Sequence, residues 1–300
     1  MRLEEVVNGT LLGDASIRVD KKKYYYYGLS AKDKRFLKWV GDILWKFNIP
    51  TYISLNNSLS KVFTLGFYIN ARRDSWLLSL RKNWYKQENG AIIKIIPNDL
   101  EITPVTLLFW YLGDGCLVRR RNDANRVPTI VLATNCFSKE NIEILVKKFK
   151  ELNLSFYPVE YKSGFTGKKC GWCLYSEAQD NTPYRFFRHI GLRCPIDIVD
   201  FSTGAKGIYR EQKFFKDKWP TDEDWLKILS NHKTLGNVLK CRREQLCLTR
   251  SQLAKKAGVS YDYLKRIEWG KRQPSVERLR KLLEALALKP LALLEGITKL

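Results

Sequence analysis

The sequence predicts an α+β chain in which an αββαββα unit is used twice, as a pseudo-two-fold repeat, followed by an all-α domain. Three observations carry this. Residues 7–15 read Val-Asn-Gly-Thr-Leu-Leu-Gly-Asp-Ala and residues 107–115 read Leu-Leu-Phe-Trp-Tyr-Leu-Gly-Asp-Gly, so two apolar segments close on Gly-Asp-small. The same order of strand and helix patterns follows each of them. From Asp224 onward the pattern is purely helical.

In the first unit, Leu3, Val6, Val7, Thr10 and Leu11 form one stripe at helical spacing. Gly9 and Gly13 form a second seam, where another backbone can approach closely. After Asp14 a strand runs over Ala15–Val19, a turn over Asp20–Lys23, and a tyrosine-rich strand over Tyr24–Leu29. Ser30 is the expected cap of a helix over Lys32–Phe47. Strands near Tyr52–Leu55 and Val62–Asn70 and a helix near Arg73–Tyr85 complete the unit.

The second unit repeats the series. Thr103-Pro104 suits a helix start, and Asp114 ends that helix. Strands are expected near Gly115–Arg120 and Val127–Thr134. Ser138 caps Lys139–Leu152, where Ile142, Leu145, Val146 and Phe149 keep helical spacing. Strands near Phe156–Tyr161 and Gly171–Tyr175 and a helix around Asn181–Ile190 follow. Residues 201–224 change character and read as a linker or packed tail. The expected domains are residues 1–96, 97–220 (with the linker) and 221–300.

Lys and Arg number 53 against 31 Asp and Glu, a formal net charge of +22. A surplus of this size favours a polyanionic partner, most simply nucleic acid. No long uncharged apolar run and no signal-peptide pattern is present, which excludes a secreted or membrane-spanning reading. The 7 cysteines are scattered and odd in count. They fit reduced thiols in a cytoplasmic compartment or an organelle-encoded protein. Cys170-Gly-Trp-Cys173 is one close pair, but no second such pair exists to complete a structural zinc site.

An aspartate at a helix C-terminus meets the negative end of the macrodipole. Two of them in matched contexts, Asp14 and Asp114, point to a bound cation that offsets the repulsion. Mg²⁺ takes one or two carboxylates and fills its shell with waters and substrate phosphates, so Asp14 and Asp114 are the expected ligands of Mg²⁺ or Mn²⁺.

The context of these aspartates carries a resemblance. Ile96-Pro97-Asn98-Asp99-Leu100, Thr103-Pro104, Trp110-Tyr111-Leu112-Gly113-Asp114-Gly115 and the stretch Leu132–Glu143 look like the middle of monomeric, two-motif LAGLIDADG homing endonucleases. Gly9–Ala15 resembles the family's first motif. The resemblance covers about residues 1–200. It implies a site-specific double-stranded DNA endonuclease, monomeric, with two halves over a long DNA site. It implies that Asp14 and Asp114 are the catalytic, metal-binding acids, and that Lys94 supports the attacking water or the phosphate. Relatives often carry a further lysine near the end of the second unit. The corresponding stretch here, Cys194–Phe201, has none, and Lys206 does not match, so unequal cleavage of the two strands is expected. DNA-facing strands need donors for phosphates and base edges. Arg18, Lys21, Lys22, Lys23, Arg72, Arg73, Arg119, Arg120 and Arg121 suit that role.

In the last domain, Thr249-Arg-Ser-Gln252 is a capping box that opens a helix, and Gly258 makes a tight turn. Ser260 caps the helix Tyr261–Trp269, and Gly270 ends it. This is helix-turn-helix geometry. Leu235–Leu286, including Leu264–Ser275, resembles phage-repressor-like (XRE) domains. By that resemblance Tyr261–Trp269 is the recognition helix. Arg250, Tyr261, Asp262 and Arg266 match DNA-touching positions, Lys271 and Arg272 suit phosphates, and Arg243 and Glu268 match an ion pair. Two other functions fit the same scaffold: a non-catalytic transcription regulator, and a maturase whose partner is an intron RNA. A regulator would be expected to lose its acids, and both are present.

Overall fold

The computed structural model describes residues 1–19, 24–31, 33–56, 62–70, 76–119, 126–162, 169–178, 181–196 and 217–297. They divide between two compact units. One is drawn from residues 1–116, 131–175 and 189–218, the other from residues 117–130, 176–188 and 219–300.

In the first unit, α1 (Leu3–Leu12) is followed by β1 (Ala15–Val19), β2 (Tyr24–Ala31), α2 (Lys34–Trp45), β3 (Tyr52–Asn56), β4 (Val62–Asn70) and α3 (Trp76–Trp84). The strands form an antiparallel sheet in the order β1-β2-β4-β3. Ile17, Tyr27, Leu29, Leu65 and Phe67 are buried with Leu37, Val40 and Leu44 of α2, so the alternation of each strand puts one face in the core. The cap of α2 differs from expectation. Asp33, not Ser30, accepts from the Arg35 amide. Ser30 stays in β2 and lies 3.1 Å from the Thr64 hydroxyl, because the strand runs two residues past its expected end.

A further hairpin, β5 (Tyr85–Glu88) and β6 (Ala91–Lys94), follows α3. Its turn residues have positive φ, 50° at Asn89 and 78° at Gly90. Asn-Gly is the preferred pair for that tight, right-twisting connection.

The series then repeats as α4 (Pro104–Asp114), β7 (Gly115–Val118), β8 (Thr129–Ala133), α5 (Lys139–Glu151), β9 (Phe156–Lys162), β10 (Lys169–Ser176) and α6 (Thr182–Ile190). The sheet order is β7-β8-β10-β9, the counterpart of the first. Thr103 and Ser138 cap α4 and α5. Helices α1 and α4 approach closely through Gly9. A methyl group there would sit 2.5 Å from the Thr106 carbonyl oxygen and 2.7 Å from Phe109 Cβ, so only glycine permits this spacing.

The second unit gathers α7 (Asp222–Ser230), α8 (Leu235–Gln245), α9 (Arg250–Lys256), α10 (Tyr261–Glu268), α11 (Val276–Ala285) and α12 (Pro290–Ile297). Phe187 of α6 packs edge-on against Trp225 of α7 with ring centroids 5.8 Å apart. Tyr184 meets His232 at 4.4 Å. The Thr249–Gln252 capping box and the Ser260 cap are both formed. No helix among the described residues is long and apolar enough to cross a membrane.

Candidate active site

The close packing of α1 on α4 brings their C-terminal ends together. Asp14 lies just past α1 and Asp114 is the last residue of α4, and their carboxyls come within hydrogen-bonding reach of each other. Gly13 keeps the approach open: a methyl group on it would stand 3.2 Å from Asp114 Oδ2. Burial, and then the neighbouring Asp14 carboxylate, push the Asp114 carboxyl up to about 7, while Lys218 and Lys94 pull it the other way.

Two lysines answer the electrostatic problem of acids at helix C-termini. Lys94, at the end of β6, donates from Nζ to the carbonyls of Gly13 and Ala15, each at 3.0 Å. Lys218 donates to the carbonyls of Tyr111, Leu112 and Gly113 at 3.2, 2.7 and 3.0 Å. Lys94 caps the Gly13 carbonyl past the end of α1, Lys218 caps the Leu112 and Gly113 carbonyls at the end of α4, and each ammonium offsets the negative end of that helix's dipole. Lys218 is 3% exposed. Burial pulls its ammonium down to about 8, against the opposing influence of Asp114. Burial also lowers Lys94 from the usual lysine range. The expectation that the second half lacks a matching lysine is therefore overturned. The chain leaves α6, passes through residues outside those described, and returns Lys218 to the position that Lys94 holds in the first half.

Cys116, Cys136 and Cys173 are electrostatic neighbours of this centre, and burial raises all three thiols. The acids at the two helix ends offer carboxylate oxygens, which suit a hard cation such as Mg²⁺ or Mn²⁺. Among the described residues no group of three or more His, Cys, Asp or Glu side chains could hold a metal ion. A cation at Asp14 and Asp114 would draw its remaining ligands from water and phosphate oxygens.

Of the expected DNA-binding residues, Arg18 is exposed on β1. Arg119 Nε is instead committed to Asp224 Oδ2 at 2.8 Å, and its Nη2 to the Trp219 carbonyl at 3.0 Å, ties internal to the second unit. Lys21, Lys22, Lys23, Arg72, Arg73, Arg120 and Arg121 lie outside the described residues.

In the helical module, Tyr261, Asp262, Arg266, Lys271 and Arg272 are exposed. Arg250 differs. Its Nε donates to Glu268 Oε2 at 2.9 Å and its guanidinium lies 5.7 Å from the Tyr261 ring centroid. Glu268, whose side chain is 0% exposed, also takes Arg243 Nε at 2.7 Å. The Arg243–Glu268 pair is legible in the sequence, but its sharing with Arg250 is not.

Two like halves that each deliver one carboxylate and one lysine to a common centre, with a helix-turn-helix module appended, define the class. The chain belongs to the LAGLIDADG DNA endonuclease family, which residues 4–166 match. Residues 239–294 match the helix-turn-helix family. Uncharacterized protein MJ1098 of Methanocaldococcus jannaschii is 30% identical over 155 residues, covering 50% of this chain. The chain spans 56% of that protein's length. Among solved structures, the homing endonuclease I-WcaI bound to its DNA recognition sequence is similar with 21% identity and a TM-score of 0.48, over 62% of this chain and 79% of that one. I-DmoI in complex with DNA and Mn has 12% identity and a TM-score of 0.39, over 62% and 94%. The N-terminal LAGLIDADG domain of DUF199/WhiA has 13% identity and a TM-score of 0.41, over 64% and 86%.

Proposed function

We propose that the protein is a site-specific double-stranded DNA endonuclease of the homing type that hydrolyses phosphodiesters with Mg²⁺ or Mn²⁺. The observation that supports this most is the paired centre: Asp14 beside Asp114, with Lys94 and Lys218 seated on the carbonyls of Gly13 and Gly113. In this reading Asp14 and Asp114 hold the cation, which activates water and stabilises charge on the cleaved phosphate. Lys94 and Lys218 hold the two helix ends, and so the carboxylates, in register. The helix-turn-helix module, through Tyr261, Asp262 and Arg266, adds a second DNA contact made effectively intramolecular by its tether. The protein acts as a monomer, because both halves of the centre come from one chain.

A transcription regulator on this scaffold is the second reading, favoured by the helix-turn-helix match at residues 239–294. The test is selection of cleaved members from a randomised duplex library with Mg²⁺. Discrete metal-dependent cuts support the endonuclease. Sequence-selective binding without any cut supports the regulator.

A further inference from the structure

Strand β1 is the outer strand of its sheet, paired with β2. The outer edge of such a strand carries a row of N–H and C=O groups that no strand takes up. Here three side chains from the segment joining the two halves take them up. Lys94 Nζ reaches the carbonyls of Gly13 and Ala15. The Ile17 amide donates to the Tyr85 hydroxyl oxygen at 3.0 Å, and Arg81 Nη1 donates to the Ile17 carbonyl. Ala15 and Ile17 are two residues apart, so the strand turns their backbone groups to the same edge.

The three side chains form one piece. Tyr85 opens β5, Lys94 closes β6, and the two are directly paired across the hairpin. Arg81 sits in the last turn of α3, and its guanidinium stands 4.3 Å from the Tyr85 ring centroid, within range of a cation–π attraction. Trp84 ties the same segment to α1. Its Nε1 donates to Asn8 Oδ1 at 3.1 Å, and its carbonyl accepts from the Ile95 amide at 2.8 Å. Burial holds the Tyr85 phenol above its usual range, so it meets the Ile17 amide as a neutral hydroxyl.

Lys94 straddles Asp14, because it bonds the residue on either side of it. Its own place depends on how the hairpin sits against β1, and Tyr85 and Arg81 fix that contact at Ile17, which is buried. Losing either bond leaves a backbone group of Ile17 without its partner and frees the hairpin to shift. A misplacement of about 1 Å at a reacting centre can cost roughly 100-fold in rate. We propose that Arg81 and Tyr85 are positioning residues of the centre, which lock β1 against the β5–β6 hairpin and so set Lys94 and Asp14 relative to each other. The proposal deepens the endonuclease reading and rests on it for the reaction by which the effect is read.

The test uses the full chain and its selected duplex, with single-turnover cleavage in Mg²⁺ and duplex binding in Ca²⁺. Tyr85→Phe keeps the ring and removes the acceptor. An unpaired buried group of this kind corresponds to roughly tenfold, so cleavage should slow about tenfold while duplex affinity stays within about twofold of wild type. Arg81→Met should behave alike, and Arg81→Lys, which keeps a donor, should recover most of the loss. In a Lys94→Met background neither substitution should slow cleavage by more than about twofold further, because residues acting through one another are not additive. A merely structural role would multiply the losses. Should Tyr85→Phe not fold, the two Arg81 variants carry the same comparison. The second readout is Mn²⁺ affinity without DNA, by water-proton relaxation, which should fall at least about tenfold in Tyr85→Phe and in Arg81→Met. Wild-type cleavage by both variants, or losses that multiply with Lys94→Met, would overturn the proposal. If the wild type never cuts, the endonuclease reading falls and Mn²⁺ affinity decides: a loss in the variants upholds the positioning role, and unchanged affinity or no Mn²⁺ binding at all overturns it.

Discussion

Lys94 and Lys218 occupy equivalent places in the two halves: each donates to the carbonyl of the glycine that precedes a motif aspartate, Gly13 for one and Gly113 for the other. A carboxylate at a helix C-terminus is unfavourable by itself, and each lysine supplies the compensating charge. Replacing either by methionine keeps the length of the stem and removes the charge. Lys94→Met and Lys218→Met should each slow cleavage by roughly 100-fold, in the range for loss of one electrostatic support. Single-turnover assays that follow both strands check this. Wild-type rates for Lys218→Met would mean that the second lysine has only a packing role.

The raised carboxyl of Asp114 has a pH consequence. Its folded value of about 7 lies above the ordinary aspartate value. The metal-free fold therefore has this group's full contribution below about pH 4 and loses it as pH rises through about 7. A divalent cation bound there competes with the proton, so Mg²⁺ should raise the melting temperature more at pH 8 than at pH 6. An equal Mg²⁺ shift at both pH values, or one kept in Asp114→Asn, would place the cation elsewhere.

Glu268 joins Arg243 and Arg250 inside the helical module. Removing it leaves a buried guanidinium without its partner, which typically costs about 3–5 kcal/mol. Glu268→Ala should unfold the helical module at lower denaturant, followed by circular dichroism at helical wavelengths. A midpoint unchanged from the wild type would show that Leu248, whose carbonyl also accepts from Arg243 at 2.8 Å, suffices to hold that arginine.

The role of the module is best tested by point substitution. A cut at residue 220 would remove Trp225 from Phe187 and Asp224 from Arg119, exposing α6. Tyr261→Ala with Arg266→Ala leaves that packing intact. The double variant should still cleave, with weaker binding, a shorter footprint and a shallower salt dependence, by about 0.9 in slope for each phosphate no longer neutralised. An unchanged footprint at the cleavage site would leave the module to act elsewhere, for instance at a promoter.

Much of this is legible in the sequence because it depends on local pattern. Gly13-Asp14 and Gly113-Asp114 close two apolar helices, and strand alternation with turn residues sets the order of elements. Thr103, Ser138, Thr249 and Ser260 cap helices as their positions suggest. The β5–β6 hairpin is not among the expected elements, although Asn89-Gly90 is a strong signal for it, and that hairpin is what carries Lys94 to Gly13. Lys218 is not legible for a different reason. Lys94 follows Asp14 by 80 residues, whereas Lys218 follows Asp114 by 104. Repeat arithmetic points to Cys194 instead, and only the folded chain shows that Lys218 takes the equivalent place. Arg119 and Arg250 look like DNA contacts because charge can be read from sequence, while the internal acids that hold them, Asp224 and Glu268, lie 105 and 18 residues away.

In the proposed reading Asp14 and Asp114 form one metal-dependent hydrolytic centre. The most direct measurement is cleavage of a library-selected duplex by wild type, Asp14→Asn and Asp114→Asn, with and without Mg²⁺, alongside binding of the same duplex. Cleavage by the wild type only with metal, none by either variant, and binding retained in all three is the predicted result. Cutting at wild-type rates by either variant, or by the wild type in chelator, would contradict it.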